Sequence, residues 1–160
     1  METRAEEGGI RRILVGVDGS EGAERALLWA ARLARATGAE VVAAHALGTA
    51  MLANGFAFVA GTSYDNWQRA WKDLRTHTQQ TMEESWCRPL ADAGISFRAE
   101  VVDGGVEALI ELAASVDADL LVVGRRGRGG FAELVLGSFS HHLVHHAMQP
   151  VVIIPPLRAR

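Results

Sequence analysis

The sequence predicts an α/β domain in which a parallel sheet carries helices on both faces. Three observations predict it. Short, almost unbroken apolar runs recur along the chain, as in Ile10–Val17 and Glu40–Leu47, which is how strands buried on both faces read. These runs alternate with longer stretches whose apolar residues return every three or four positions, the period of one helix face. Such alternation implies parallel strands joined by right-handed crossovers. Glycine also stands where a buried run ends, at Gly124, and again where a helix pattern starts, at Gly137.

Each element has its own justification. Ile10–Val17 (IRRILVGV) is the first strand, and Asp18-Gly19-Ser20 breaks it. Ser20 can N-cap a helix, with Glu21 and Glu24 in the first turn complementing the helix dipole. Ala23, Ala26, Leu27, Ala30, Leu33 and Ala34 form that helix's apolar stripe, and Gly38 ends it. Glu40–Leu47 (EVVAAHAL) is the second strand. Residues 48–62 are small and apolar without a clear period, a stretch long enough to suit a functional cover or a mobile loop. From about Ser63 to Ala93 the steps Trp67, Trp71, Leu74, Thr78, Met82, Trp86 and Leu90 predict one long helix. Pro89 should kink or shorten its last turns, and Gly94 should cap it. Ile95–Val102 alternates as a third strand, and Val106–Val116 is a short helix with Leu109, Ile110, Leu112 and Ala113 inward. Asp119–Val123 is the fourth strand, Gly137–Ala147 the last helix and Pro150–Ile154 the fifth strand. With strand one central and strand four beside it (order 3-2-1-4-5), the winding direction reverses between them. Ligands of such sheets bind beyond the C-terminal strand ends at that point, where Asp18 and Gly124 would meet.

Composition narrows the function. A chain of 160 residues fits one domain, here 10–155, between a flexible segment at 1–9 and a tail at 156–160. The net charge of −3 offers no basic footprint for nucleic acid. The one cysteine, Cys87, excludes an internal disulfide and a cysteine zinc site. No run approaches the roughly 20 apolar residues of a membrane span, and the polar start lacks a signal-peptide core, so the cytoplasm is the expected location. Fifteen of the basic residues are arginine and one, Lys72, is lysine. Lys72 precedes Asp73, so no Gly-Lys-Ser/Thr phosphate loop exists here.

The chemistry concentrates near the C-terminal end. Leu120-Leu121-Val122-Val123 stops at Gly124, and the chain reads Gly124-Arg125-Arg126-Gly127, nine more residues, then Gly137-Ser138 and a helix pattern. Glycine lets main chain approach a ligand with no Cβ in the way. A helix N-terminus adds unpaired N–H donors and partial positive charge. The stretch therefore reads as a phosphate site of a nucleotide-binding domain.

These residues resemble the universal stress protein family in its ATP-binding branch. The branch's spacing of Gly, two residues, Gly, nine residues, Gly and Ser or Thr is matched by Gly124, Gly127, Gly137 and Ser138. Asp18-Gly19-Ser20, the His45-containing second strand and Pro150-Val151-Val152 also follow the family's pattern. The resemblance covers about residues 10–155. It implies a Rossmann-like, adenine nucleotide alpha hydrolase-like domain with five parallel strands. It also implies that Asp18 lies near the ribose, that main chain at Ala46 meets adenine, and that Val123 packs on the base with Gly124 at the sugar. N–H groups of Gly127, Gly137, Ser138 and Phe139 would hold phosphates, joined by the Ser138 hydroxyl and by Ser140. A homodimer through the edge strand Val151–Ile154 is implied as well, since an unpaired apolar edge must be covered or paired.

Other residues divide between sharp and plain readings. Arg126, with Arg125 and Arg128, either adds charge-assisted bonds to a polyphosphate or is solvated loop charge. Asp18 near phosphates also invites Mg²⁺, which takes one or two carboxylates plus phosphate oxygens. His141, His142, His145 and His146 form two i, i+4 pairs, read as helix surface rather than a metal clamp, so no resident metal is expected. His45 reads as a satisfied core histidine and Cys87 as inert. Trp29, Trp67, Trp71 and Trp86 read as core packing, with a partner surface second. The functional expectation is an ATP-binding regulatory protein of stress physiology with an unidentified protein partner and no catalytic residues. The alternatives are a slow ATP hydrolase and an interaction module with little nucleotide dependence.

Overall fold

The computed structural model describes residues 9–48, 64–125, 127 and 136–157. Five strands, β1 (Arg12–Gly16), β2 (Glu40–Leu47), β3 (Phe97–Asp103), β4 (Leu120–Gly124) and β5 (Val151–Ile154), form one sheet in the order β3-β2-β1-β4-β5. All four pairings are parallel, as the sequence predicts. The helices are α1 (Glu21–Thr37), α2 (Tyr64–Thr81), α3 (Arg88–Asp92), α4 (Gly105–Ser115) and α5 (Ser138–His146).

Side-chain alternation along the strands feeds two cores. On one face Ile13, Val15, Val41, Ala43 and Val122 pack with Leu27 of α1 and with Met82 and Leu90. On the other face Leu14, Val42 and Leu121 pack with Leu109 of α4 and Leu143 of α5. Being covered on both sides is what makes β1, β2 and β4 read as continuous apolar runs.

Local chemistry sets the boundaries. Ser20 is extended (φ −78°, ψ 160°) and caps α1 by accepting from Ala23 N–H, at 3.2 Å. Gly38 closes the helix in the left-handed region (φ 76°), donating its N–H to Ala34 C=O at 2.8 Å. β1 is shorter than predicted at its start, because the Asp119 carboxylate takes the N–H groups of Arg11 and Arg12, each at 2.9 Å. β3 starts later than predicted, because Ile95 N–H bonds Leu90 C=O at 3.0 Å and so still belongs to the preceding helix end.

The long helix predicted from Ser63 to Ala93 is interrupted. After α2 comes a π-helical turn, Met82–Trp86, and then the short α3. Pro89 lies in the first turn of α3, where its missing N–H costs nothing, whereas a continuous helix would drive its ring into the carbonyl of Ser85. Trp67 and Trp71 stack on α2, with ring centroids 6.1 Å apart and planes 8° apart. Trp29, Trp71 and Trp86 pack against the core from partly buried positions.

The helix α2 also closes one edge of the sheet. On β3, Arg75 Nη2 donates to Val101 C=O at 2.7 Å and Gln79 Nε2 to Ala99 C=O at 2.8 Å. Arg75 Nη1 reaches the Asp103 carboxylate at 2.6 Å. Among the described residues no comparable side-chain bond reaches β5.

Candidate functional site

A cavity of about 650 Å³ opens beyond the C-terminal ends of β1, β2 and β4, where the winding reverses. Asp18, Ala46, Val123, Gly124, Gly127, Gly137, Ser138, Phe139 and Ser140 all line it. These are the site residues singled out from the sequence, with one exception. Arg126 lies outside the described residues, as do Arg128 and residues 49–62 of the loop after β2.

Two glycines set the cavity's shape by close approach. A Cβ on Gly124 would fall 2.7 Å from the carbonyl carbon of Gly22, so β4 ends with its main chain against the first turn of α1. A Cβ on Gly127 would run into the Asp18 carboxylate oxygen Oδ2, so main chain at 127 lies directly on that acid. The other oxygen, Oδ1, accepts Ser20 N–H at 3.0 Å. The turn after β1 thus holds the carboxylate in place, and among the lining residues described Asp18 is the one acidic side chain.

The start of α5 is tied to the end of β4. Gly137 N–H donates to Arg125 C=O at 3.0 Å, and Arg125 N–H donates to Ile154 C=O at 2.8 Å. The Ser140 hydroxyl, buried, donates to Gly124 C=O at 2.9 Å. In this arrangement the Gly137 amide and the Ser140 hydroxyl fasten the loop, while Ser138 and Phe139 lie exposed in the first helical turn. Amides of a first turn have no intrahelical partner and carry the positive end of the helix dipole. The end of the cavity at Gly127, Ser138 and Phe139 is therefore suited to an anion.

The opposite wall was not foreseen. Leu74, His77, Thr78, Thr81 and Trp86 from α2 and the π turn line the cavity. Leu74, Thr78 and Trp86 belong to the stripe that predicts one helix face, whereas His77 and Thr81 lie off it, and no local signal separates a residue facing a cavity from one facing a core. His45 is held as expected, with Nδ1 at 2.6 Å from Val17 C=O, but it too lines the cavity. Its ring meets Trp86 edge to face, centroids 5.1 Å apart at 69°.

The histidines of α5 lie outside the cavity lining. His141 and His145 rings are 4.5 Å apart and His142 and His146 rings 4.2 Å apart. An acidic neighbour comes from another element, with Glu107 of α4 at 3.2 Å from His142 Nε2. Among the described residues no group of three or more candidate ligands could hold a metal ion, and no helix is long and apolar enough to cross a membrane. Cys87 is fully buried, and burial together with the nearby Glu83 pushes its thiol up to about 11.

Comparison with known proteins bears on this geometry. The model of the Universal stress protein family matches residues 9–155. The universal stress protein Slr1101 of Synechocystis sp. is 34% identical over 90 residues, covering 56% of this chain and 82% of that protein. A universal stress protein of Mycolicibacterium smegmatis is 29% identical over 143 residues, 89% of this chain, and this chain spans only 47% of its length. Among solved structures, a universal stress protein in complex with cAMP is 28% identical, with a TM-score of 0.59 and coverage of 92% of this chain and 98% of that one.

Proposed function

The chain belongs to the universal stress protein family, and we propose that within it this protein is an ATP-binding regulatory switch. The observation that carries the reading is the meeting of Gly127 main chain, the Asp18 carboxylate and the first turn of α5 at one end of a cavity of about 650 Å³. That end combines anion-binding amides with one fixed acid. The ligand chemistry that uses both is a phosphate ester bearing sugar hydroxyls. A relative solved with cAMP supports an adenine nucleotide as the class.

In this reading the amides of Gly127, Ser138 and Phe139 take the phosphates. Asp18 takes ribose hydroxyls, or Mg²⁺ bound to the phosphates, since that ion accepts one carboxylate alongside phosphate oxygens. Gly124 approaches the sugar, and Val123 and main chain at Ala46 frame the base. Gly137 and Ser140 keep the cradle in shape. ATP would act by stabilising the state that a partner recognises.

Thermal melts test the reading. At a hundredfold excess over Kd, ATP should add about 2.7 kcal/mol, a rise in Tm of roughly 5–10 °C for a chain of this size. AMP, cyclic AMP and GTP in parallel give the preference. A melt unmoved by any of them overturns the proposal. A turnover assay separates switch from hydrolase, because ATPase activity that disappears in Asp18→Ala would favour the enzyme.

We also propose a homodimer through β5, the sheet edge that no side chain closes among the described residues. Light scattering at micromolar concentration should give twice the chain mass, and a monomer mass would refute it.

A further inference from the structure

Trp86 is placed unlike its neighbours. In an α-helical turn residues i and i+4 share a face, so Met82 and Trp86 would both enter the core. The wider bond from Cys87 N–H to Met82 C=O, at 2.8 Å, puts Met82 and Cys87 on that face instead, and both are fully buried. Trp86 is turned aside and only partly buried. It lines the nucleotide-sized cavity and also a second hollow of about 350 Å³ against α1. In the first of these it rests on His45, which Val17 C=O holds by Nδ1. A carbonyl only accepts, so that nitrogen carries the proton and the ring keeps one orientation.

Strand order locates the pair. β2 lies on one side of β1, and β4 with its following helix on the other. His45 and Trp86 therefore stand across the Asp18 turn from Gly127 and Ser138. A ligand that seats its phosphates on the α5 amides would place its base at the aromatic pair.

We infer that Trp86, turned out by the π turn and backed by His45, is the residue that sets base specificity, favouring the two rings of a purine over the one ring of a pyrimidine. The inference rests on the nucleotide reading above. A flat aromatic wall gains with the area of the ring it meets, whereas amides at the far end bind phosphate whatever base it carries.

Titration calorimetry with ATP, CTP and tripolyphosphate on the native chain, Trp86→Leu and Trp86→Phe tests this. The native chain should prefer ATP to CTP by roughly tenfold, the scale of one base–aromatic contact. Trp86→Leu should weaken ATP by roughly that factor while tripolyphosphate binding stays within about twofold. If Trp86→Leu does not fold, Trp86→Phe carries the test, its smaller ring lowering the ATP-to-CTP ratio about threefold. Equal ATP affinity in native and folded Leu variant, or an unchanged ratio in the Phe variant, overturns the inference and leaves the nucleotide reading standing. A native chain that binds ATP and CTP equally also overturns it. A native chain that binds none of the three probes overturns both.

Discussion

The two ends of the cavity are built by different means. The end at Asp18, Gly127 and Ser138 is made of loop backbone, held by Ser20 N–H on the acid, by Gly137 N–H on Arg125 and by the Ser140 hydroxyl on Gly124. The end at Leu74, Thr78 and Trp86 is made of side chains on α2 and the π turn, a stretch that with α3 also fills the core through Met82 and Leu90. Damage to the first should show in ligand binding with stability preserved. Damage to the second should show in stability as well as in binding, since its residues share one surface with the fold's interior.

The strongest challenge to this division is Gly124, which belongs to the loop-built end yet packs on backbone. A methyl at 124 would meet the Gly22 main chain at 2.7–2.8 Å, and backbone cannot step aside cheaply. Gly124→Ala should cost about 2–3 kcal/mol, as overpacking does, which lowers Tm by roughly 5–10 °C. Calorimetric melts without ligand check it. A normal melt would mean that the end of β4 is free to adjust.

Gly127→Ala sharpens the contrast. Among the described residues its methyl meets the Asp18 carboxylate, a side chain held by a hydrogen bond from Ser20 N–H and so easier to displace than the backbone at Gly22. Tm without ligand should stay within about 2 °C, while ATP binding weakens at least tenfold, the scale of a lost hydrogen bond to a charged group. Isothermal titration beside a melt reads both. Loss of fold together with binding would erase the distinction from Gly124.

The smallest effect belongs to the helix-built end. The Cys87 thiol is pushed up to about 11 from 9.0 by burial and Glu83. Between those values the unfolded chain has lost a proton that the folded chain keeps, so stability falls as pH rises through that window. By pH 10 the native chain should lose about 1 kcal/mol relative to Cys87→Ala, each compared with its own value at pH 8. Urea titrations at the two pH values measure it. Equal losses would mean the thiol does not titrate against burial.

The same division explains what could be read from the sequence. Asp18, Gly124, Gly127 and Ser138 could be singled out because a turn, a cap or a close approach demands a residue type at one place, and all four line the cavity. The parallel sheet followed from the alternation of runs, whereas the order 3-2-1-4-5 was a supposition about strands one and four that the structure bears out. Thr78 and Trp86 were not legible, because a residue facing a cavity and one facing a core obey the same helical period. Nor does any residue between Met82 and Trp86 announce an i→i+5 bond. The duty of Gly137 was visible only in the structure, where its amide meets Arg125 across residues that the spacing merely counts.

Arg75 and Gln79 leave the sheet lopsided. With the outward carbonyls of Val101 and Ala99 already occupied, a second molecule finds no row of free acceptors along β3. If copies associate strand to strand as proposed, β5 is the edge left to use. Two copies joined there would each turn outward a margin whose acceptors are partly taken by Arg75 and Gln79, which favours a pair over growth into a fibre.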